Sequence, residues 1–301
     1  MSTWPAILER LRGTVGVWTT TLESVEAPRS GEIAAELESL GYGALWIPEA
    51  WGREAFTSAA LALVSTSRMA IATGIANIWA RDAVAAANAT RTLNAAFDDR
   101  FLLGLGVSHR PLVERLRGHR YESPLSAMRE YLEAMNRAPM FSTEGEHPYA
   151  RVIAALGPRM LELGASLTDG VLPYLVTPEH VATARGIVGD KFIAVEQAVV
   201  LGQSREEYLL RAHAHLENYT GLDNYRNSWR RLGFTDEDVV RGGSERLCEA
   251  LVVHGDEGAV LARVDEHRAA GADHVCLQVL GAAGNVAPID EWRRLATIVR
   301  A

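Results

Sequence analysis

Eight short apolar runs recur along the 301-residue chain, and each is followed by a stretch whose apolar residues have helical spacing. Most of these runs are continuously apolar rather than alternating, which is typical of parallel strands covered on both faces. The runs are residues 15–18, 44–47, 70–75, 101–107, 152–156, 171–175, 193–200 and 275–280. Eight alternations of strand and helix predict an α/β fold, the closed (β/α)8 TIM barrel, in preference to an open doubly wound sheet.

Two stretches are longer than simple connections: residues 108–123 after the fourth strand and residues 202–255 between the seventh and eighth strands. The second stretch is polar with near-helical spacing, so we expect a helical insertion there. Long insertions in compact domains serve as lids, binding loops or extra helices, and the sequence leaves these alternatives open. No linker, repeat or low-complexity run divides the chain, so we expect one domain over residues 1–301.

Several helix boundaries are marked by capping residues. Ser123-Pro124 and Thr177-Pro178 each place a hydroxyl side chain before a proline, which predicts an N-cap followed by proline at the first helical position. An apolar stripe that ends at Leu40 is followed by Gly41, which predicts a left-handed C-cap.

Charge and composition exclude several classes of partner. The chain carries 38 acidic and 30 basic side chains, a net charge of −8, whereas nucleic-acid binding needs a basic surface. No segment approaches the ~20 apolar residues of a membrane span, and the amino terminus lacks the pattern of a signal peptide. Cys248 and Cys276 lie in apolar stretches, so we expect both to be buried. A cytoplasmic location is expected.

The active site of an eight-stranded barrel lies at the carboxyl ends of its strands, so the residues there are the candidates for binding and catalysis. They are polar or glycine-rich: Trp18, Thr19, Glu49, Thr73, Gly74, Ile75, Asn77, Gly106, Ser108, His109, Leu156, Gly157, Pro158, Arg159, Met160, Pro173 and Tyr174. Glu196 and Gln278 lie inside the seventh and eighth strands, facing either the barrel interior or its outer layer. An interior position requires hydrogen-bond partners or a ligand.

His109 and Glu49 are the candidates for proton transfer. His109 follows the fourth strand directly, where an imidazole can donate to a substrate oxygen or deliver a proton near neutral pH. The alternative is a surface-loop histidine. Glu49 ends the second strand close to Trp51, and a carboxylate beside aromatic rings can have a raised pKa. The alternative is a carboxylate at a helix start.

Two glycine-containing segments indicate close approach of a ligand. Gly157-Pro158-Arg159-Met160 opens a helix after the fifth strand, where the positive end of the helix dipole can bind a phosphate, although proline also begins purely structural helices. Gly74 interrupts the otherwise apolar third strand, which suggests a bulge or a ring lying against the backbone.

Familiar nucleotide, hydrolase and metal motifs are absent from the sequence. There is no GxGxxG after the first strand, no Walker sequence, no HExxH and no GxSxG. The close pair His213 and His215 has i,i+2 spacing, which points the two side chains apart on a helix. No metal site is predicted. A barrel metallohydrolase would need distant His and Asp ligands to converge.

Five stretches together resemble the F420-dependent branch of the luciferase-like monooxygenases, in particular an actinobacterial group of F420-dependent oxidoreductases. They are GYGALWIPEAWGREAF (41–56), IATGIANIWARD (71–82), RFLLGLGVSHRPLVERLRGHRYESPLSAMREYL (100–132), LGPRMLELGASLTDGVLPYLVTPEH (156–180) and AGADHVCLQVL (270–280). The resemblance implies a TIM barrel whose strand ends hold a deazaflavin ring. It also implies a non-proline cis peptide at Gly74–Ile75 and cofactor phosphate on residues 157–160.

The resemblance also implies functions for the strand-end residues. Cofactor binding is expected from Thr73, Gly74, Ile75, Gly106, Ser108, Leu156, Gly157, Pro158, Arg159, Met160, Pro173 and Tyr174, and substrate binding from Trp18, Trp51, Asn77, Glu196 and Gln278. Many relatives carry Asp-His after the second strand, where this chain has Glu49-Ala50. The departure at Glu49-Ala50 argues against the acid/base scheme and the substrate of the family's sugar-phosphate-oxidising members. Those members carry Glu where this chain has His109.

The expected activity is hydride transfer between F420 and a small organic substrate, with His109 or Glu49 supplying the proton. One alternative is a flavin mononucleotide (FMN) monooxygenase that uses oxygen and a separate flavin reductase. Another is a non-catalytic deazaflavin-binding protein. A homodimer is expected from the resemblance, with the alanine-rich residues 82–97 packing against their copy.

Overall fold

The structure is a computed structural model that describes residues 4–141, 147–281 and 286–299. Its strands form a closed parallel barrel, because the last strand, residues 274–279, pairs with both the first strand and the long strand over residues 192–201. The barrel strands are β1 (Val15–Trp18), β2 (Ala44–Ile47), β3 (Ala70–Thr73) with β4 (Ala76–Asn77), β5 (Phe101–Gly106), β6 (Arg151–Ile153), β7 (Gly170–Val171), β8 (Phe192–Leu201) and β10 (His274–Val279). The predicted TIM barrel is confirmed.

The third predicted strand is divided by a bulge. Both halves pair with β5: Ala72 opposite Leu102 before the bulge, and Ala76 opposite Leu105 after it. The peptide bond between Gly74 and Ile75 is cis, as the resemblance implied.

One strand, β9 (Val252–Gly255), was not predicted, because its four residues follow a helix without a turn signal. It pairs with the outer half of β8, from Ala198 to Leu201. On the same side, β7 covers only the first residues of β8, so β9 satisfies backbone groups that would otherwise form an open edge.

Twelve α-helices lie in the described ranges. They are α1 (Ala6–Leu11), α2 (Ala27–Leu40), α3 (Ala55–Val64), α4 (Ala83–Ala96), α5 (Pro124–Asn136), α6 (Pro158–Leu167), α7 (Pro178–Val188), α8 (Arg205–Thr220), α9 (Asp223–Arg231), α10 (Glu245–Leu251), α11 (Glu257–Ala269) and α12 (Ile289–Val299). Short 3-10 and π-helical turns cover Thr21–Glu23 and Leu112–Leu116. Helices α8, α9 and α10 form the predicted helical insertion. None of the twelve is long and apolar enough to cross a membrane.

The capping predictions were partly correct. Gly41 has φ 98° and caps α2 as expected. Helices α5 and α7 begin at their prolines, but neither Ser123 nor Thr177 makes a side-chain capping bond. The fixed φ of proline is therefore the local feature that begins these helices.

Alternation along the strands separates two apolar layers. Residues such as Leu45, Phe101 and Val195 pack outward against the helices. Their neighbours, including Ala194 and Cys276, fill the barrel interior. Because side chains alternate in a strand, Glu196 and Gln278 share the interior face with Ala194 and Cys276. The interior alternative is therefore the correct one for both residues.

The floor of the barrel contains a fully buried histidine, His274. Its Nε2 lies 3.1 Å from Trp46 Nε1, which donates to it, and its Nδ1 lies 2.9 Å from Thr14 Oγ1. Burial lowers the pKa of His274 to about 4, and burial likewise lowers the pKa of His180 to about 4. The barrel floor is thus built around a neutral imidazole.

Acidification is expected to destabilise the protein through these histidines. Their folded pKa lies below the unfolded value, so the unfolded state takes up protons first, and stability is lost as pH falls from about 6.5 to about 4. Replacing His274 with glutamine should reduce the loss between pH 7 and 4.5 by about 2 kcal/mol, measured by urea unfolding. The exposed His119→Gln variant is the control. An unchanged pH slope in His274→Gln would contradict the prediction.

Candidate active site

The bulge in the third strand is supported by Trp18 at the end of β1. The indole Nε1 of Trp18 donates to the carbonyl oxygen of Gly74 at 2.6 Å, and its ring centroid lies 5.1 Å from that of Tyr174. A Cβ at Gly74 would lie 2.9 Å from the same nitrogen, so the close approach needs glycine. Trp18, predicted to bind substrate, therefore also supports the bulge.

Thr73 and Ile75 flank the bulge and have different environments. Thr73 is fully buried, and its hydroxyl donates to the carbonyl of Gly104 at 2.7 Å and accepts from the Gly104 N–H at 2.9 Å. This side chain was predicted to bind cofactor, but its hydroxyl is used in hydrogen bonds between β3 and β5. Ile75 is partly exposed, and a Cβ at Gly106 would overlap it. Ile75 is the bulge side chain available to a ligand.

Glu49 is buried in a hydrogen-bonded ion pair. It accepts from the backbone N–H of Asn77 at 2.8 Å and of Ala55 at 3.3 Å, and it pairs with Arg81. Trp51, expected to pack near it, is 74% exposed. The predicted contact between Glu49 and the Trp51 ring is therefore wrong, because the loop after β2 directs that ring outward. Glu49 connects the ends of β2 and β4.

Asn77 presents an unused donor beside this ion pair. Its Oδ1 accepts from the Trp79 N–H at 3.0 Å, and the residue is 1% exposed. Its Nδ2 has no hydrogen-bond partner in the part of the chain that the structure describes. A buried amide group without a partner is a binding candidate for a ligand oxygen.

A second carboxyl group near Glu49 was missed in the sequence. Glu23 is half-buried after β1, and burial raises its pKa to about 7, with a contribution from Glu49. It lies in a 3-10 turn rather than at a strand end, so its sequence position carries no signal.

His109 lies just past β5, as predicted, against a residue from the insertion. Its ring centroid is 5.7 Å from that of Tyr225 on α9. Burial lowers the pKa of His109 to about 4, so the ring is uncharged at neutral pH. A neutral imidazole offers one N–H donor and one acceptor. Ser108 before it has φ 56°, and its carbonyl accepts from Tyr121 at 3.2 Å.

Three tyrosines, Tyr174, Tyr219 and Tyr225, form what we term the tyrosine cluster. The Tyr174 hydroxyl donates to Gln278 Oε1 at 2.7 Å and lies 3.0 Å from the Tyr219 hydroxyl. The ring centroids of Tyr219 and Tyr225 are 4.9 Å apart. The insertion helices α8 and α9 supply two of these rings, which were not predicted. Helical spacing does not reveal which face will cover a distant strand end.

Glu196 lies within β8 beside this cluster and is 1% exposed. Its Oε2 accepts from the Leu175 N–H at 3.1 Å, whereas Oε1 has no partner among the residues described. Its own N–H donates to the carbonyl of Pro173 at 3.2 Å. Burial raises the pKa of Glu196 to about 8. The group is therefore mainly an uncharged acid at neutral pH.

The predicted phosphate loop begins helix α6. Gly157 is its N-cap, and Pro158 is the first helical residue. Arg159 is exposed, and Leu156 and Met160 are partly buried. Arg231 from α9 donates to the carbonyl of Leu156 at 3.1 Å, which places a second guanidinium beside the helix start. This arginine was missed because it lies in the insertion.

A cavity of about 570 Å³ lies at the opposite, amino-terminal end of the strands. Its cationic side chains bind backbone carbonyls: Arg151 donates to Leu167 at 2.9 Å, and Lys191 donates to Thr168 at 2.8 Å. These bonds satisfy the carboxyl end of α6, so this cavity has a structural explanation. Within the described ranges, no group of three or more His, Cys, Asp or Glu residues is placed to hold a metal ion.

The architecture is a parallel (β/α)8 barrel with a bulged third strand and aromatic side chains at its mouth. The family described as luciferase-like monooxygenase matches residues 13–274, and the chain belongs to this family. It is therefore an enzyme of the luciferase-like superfamily.

One named relative and two solved structures of similar fold are described as F420 or FMN proteins. A Mycobacterium tuberculosis protein that carries the name of a coenzyme F420-dependent oxidoreductase is 30% identical over 278 residues, covering 75% of this chain and 80% of the relative. An F420-dependent secondary alcohol dehydrogenase, solved with an F420-acetone adduct, superposes with a TM-score of 0.75 at 14% identity, covering 96% of this chain and all of that one. The oxygenating constituent of the Pseudomonas putida 3,6-diketocamphane monooxygenase, solved with FMN, superposes with a TM-score of 0.69 at 16% identity. The match covers 96% of this chain and 97% of that one.

Proposed function

We propose that this protein is a coenzyme F420-dependent oxidoreductase that transfers a hydride between the deazaflavin ring and a small organic substrate. The substrate class is an activated C=C bond, a carbonyl or an alcohol. The observation that carries the proposal is the mouth of the barrel. Its bulge is supported by Trp18, which packs against Tyr174, and three buried polar atoms there, Glu23 Oε1, Asn77 Nδ2 and Glu196 Oε1, have no partner in the described ranges.

The residues present fit a flat cofactor with a phosphorylated tail. Ile75 is the apolar platform, and the small residue Gly106 lies behind it. The tail would lie along residues 156–160, where the start of α6 and the guanidinium groups of Arg159 and Arg231 favour a phosphate. Pro173 and Tyr174 follow β7 at the same mouth, where the Tyr174 ring packs against Trp18. The named F420 relative supports the deazaflavin over a flavin.

When bound, F420 supplies a two-electron hydride carrier, and the protein's residues orient the reactants and exclude water. His109 would hold the substrate oxygen through a neutral imidazole N–H, since burial keeps this ring uncharged at neutral pH. In reduction of a carbonyl it would pass this proton to the product oxygen and take up another from solvent at its second ring nitrogen. Glu49 holds the bulge through Asn77 and pairs with Arg81, so we assign it a positioning function rather than proton delivery. The tyrosine cluster closes the site on the insertion side.

Cofactor titration tests the proposal directly. Calorimetry with F420 and with FMN at matched concentrations should give a dissociation constant for F420 of about 10 μM or below and at least tenfold weaker binding of FMN. Selective FMN binding would instead support the monooxygenase alternative, for which the FMN-bound neighbour is the favouring observation. Tight F420 binding without turnover of any alcohol, ketone or enone in a screen would identify a non-catalytic carrier.

His109 should affect turnover much more than cofactor binding. We expect His109→Ala to lower kcat by about 10²-fold while the F420 dissociation constant changes less than threefold, because the lost group acts on the substrate oxygen. His109→Asn keeps an N–H donor and should recover part of the loss. Steady-state kinetics and titration measure the two effects. Unchanged turnover in His109→Ala would remove this residue from the mechanism.

A cytoplasmic homodimer also remains part of the proposal. Helix α4, expected to pack against its copy, buries Ala83, Ala86 and Ala87 inside the protomer and leaves Ala85, Ala95 and Ala96 exposed. The exposed small residues are the surface that a copy could contact, and light scattering would measure the oligomeric state.

A further inference from the structure

Glu196 is an unusual residue for the position it occupies. It lies on the interior face of β8, above Ala194 and opposite Cys276 of β10 in the strand register. With 1% exposure and a single hydrogen bond to the Leu175 N–H, its carboxyl group has lost water without full replacement. Such burial is costly and is tolerated mainly at functional positions.

No charged partner compensates for this burial among the described residues around it. The ionisable groups that interact with Glu196 are Tyr174, Tyr219, Tyr225 and Cys276, and burial raises the pKa of each of them. At the same mouth, burial lowers the pKa of His109 and of His215 to about 4. All six groups stay uncharged between pH 6 and 9, whereas the pKa of Glu196 falls within this range, at about 8.

The protonated carboxyl group has one donor to satisfy. Its Oε2 already accepts from Leu175, which leaves the O–H on Oε1. The nearby Tyr174 hydroxyl donates to Gln278 and shares a hydrogen bond with Tyr219, and Oε1 has no partner in the described ranges. The Oε1 hydroxyl is therefore a buried donor that a ligand oxygen could accept from.

We infer that Glu196 is a specificity-determining residue that donates a hydrogen bond from Oε1 to a carbonyl oxygen of the bound ligand. The inference rests on the proposed function in one respect, the molecule that carries the carbonyl group. That molecule is either the cofactor, through its ring, or a ketone substrate. An O–H donor at this point selects a ligand with an acceptor oxygen over one with an ammonium group, which has no acceptor. Tyr219 and Tyr225 lie near Glu196, which is 1% exposed, so the contact is protected from water.

Three variants separate this donor from other effects. Glu196→Gln keeps an uncharged donor at every pH, and Glu196→Leu removes it. Glu23→Gln is the control, because Glu23 is a carboxyl group elsewhere at the mouth whose pKa is also raised, to about 7. Each is titrated calorimetrically with F420 at pH 6.5 and 9.5. Ionisation of free F420 affects all variants equally, so Glu196→Gln supplies the baseline.

With a pKa near 8, only about one part in thirty of Glu196 is protonated at pH 9.5. Wild-type affinity should therefore fall about tenfold or more between the two pH values relative to Glu196→Gln, and Glu23→Gln should fall like the wild type. Glu196→Leu should bind about tenfold more weakly at pH 6.5. Thermal unfolding of each variant checks that the protein is folded.

Two further measurements show which molecule carries the carbonyl group, and whether a negative result contradicts the F420 proposal or the function inferred for Glu196. If the same pattern appears only in KM for acetone or cyclohexanone reduction by reduced F420, the carbonyl belongs to the substrate and the inference holds. If wild type binds no F420 but binds FMN with the Glu196-dependent pattern, the F420 proposal fails and the inference holds. The inference is overturned if no Glu196-dependent pattern appears in any of these measurements, or if Glu23→Gln abolishes the pH dependence.

Discussion

Replacing Gly104 with alanine is expected to destabilise the protein by about 4 kcal/mol or more, the largest effect of any single methyl group that we anticipate. A Cβ at this position would overlap the backbone carbonyl of Thr73. That carbonyl has little freedom to move, because the Thr73 hydroxyl is bonded to both the N–H and the carbonyl of Gly104. The substitution would force β3 and β5 apart next to the bulge.

The matched control is Gly186→Ala on helix α7, where an added Cβ meets nothing within 4 Å. Alanine in a helix interior is favoured over glycine, so this variant should be more stable than the wild type by about 0.5–1 kcal/mol. Urea unfolding measures both variants. If Gly104→Ala remained within about 1 kcal/mol of the wild type, the close contact described here would not be present in solution.

Replacing Arg81 with methionine is expected to cost about 3 kcal/mol, because it leaves Glu49 buried without its cationic partner. Arg81 also pairs with Glu54 at 2.7 Å and lies 4.9 Å over the ring of Phe56. Methionine keeps much of the apolar stem, so the loss reports mainly on the charge. The bulge should loosen, because the same carboxyl group accepts from Asn77.

The double variant Glu49→Gln/Arg81→Met distinguishes pairing from packing. Glutamine is uncharged and retains an oxygen for the N–H groups of Asn77 and Ala55, so the double variant should recover about half of the lost stability. Urea unfolding of the two single variants and the double variant completes the cycle. Equal stability of Arg81→Met and the double variant would show that the unpaired carboxyl group is not the cause of the loss.

Much of the barrel was predictable because its determinants are local. Continuous apolar runs reported strands covered on both faces, and Gly41 and Pro158 marked a helix end and a helix start. The bulge at Gly74 followed from a glycine inside a strand, and the cis bond from the family resemblance. The strand β9 was missed, since its pairing depends on the length of a distant strand, β8.

The candidate site divides in the same way. His109 and Gly157 follow their strands directly in the chain, so their position at the mouth was determined by the sequence order of strands and loops. Tyr219, Tyr225 and Arg231 reach the mouth only because the insertion folds back over it. Neither helical spacing nor composition specifies which strand ends an inserted helix will cover.

The sequence by itself determined the barrel, the strand-end positions and the likeness to one family, because apolar periodicity, proline and glycine act on neighbouring residues. Only the tertiary structure decided the chemical state of the groups. Glu196 is an uncharged acid because β10 and the tyrosine cluster remove it from water, and His109 is neutral because the insertion buries it. Desolvation depends on atoms brought together from distant parts of the chain, and the order of residues along the chain does not record it.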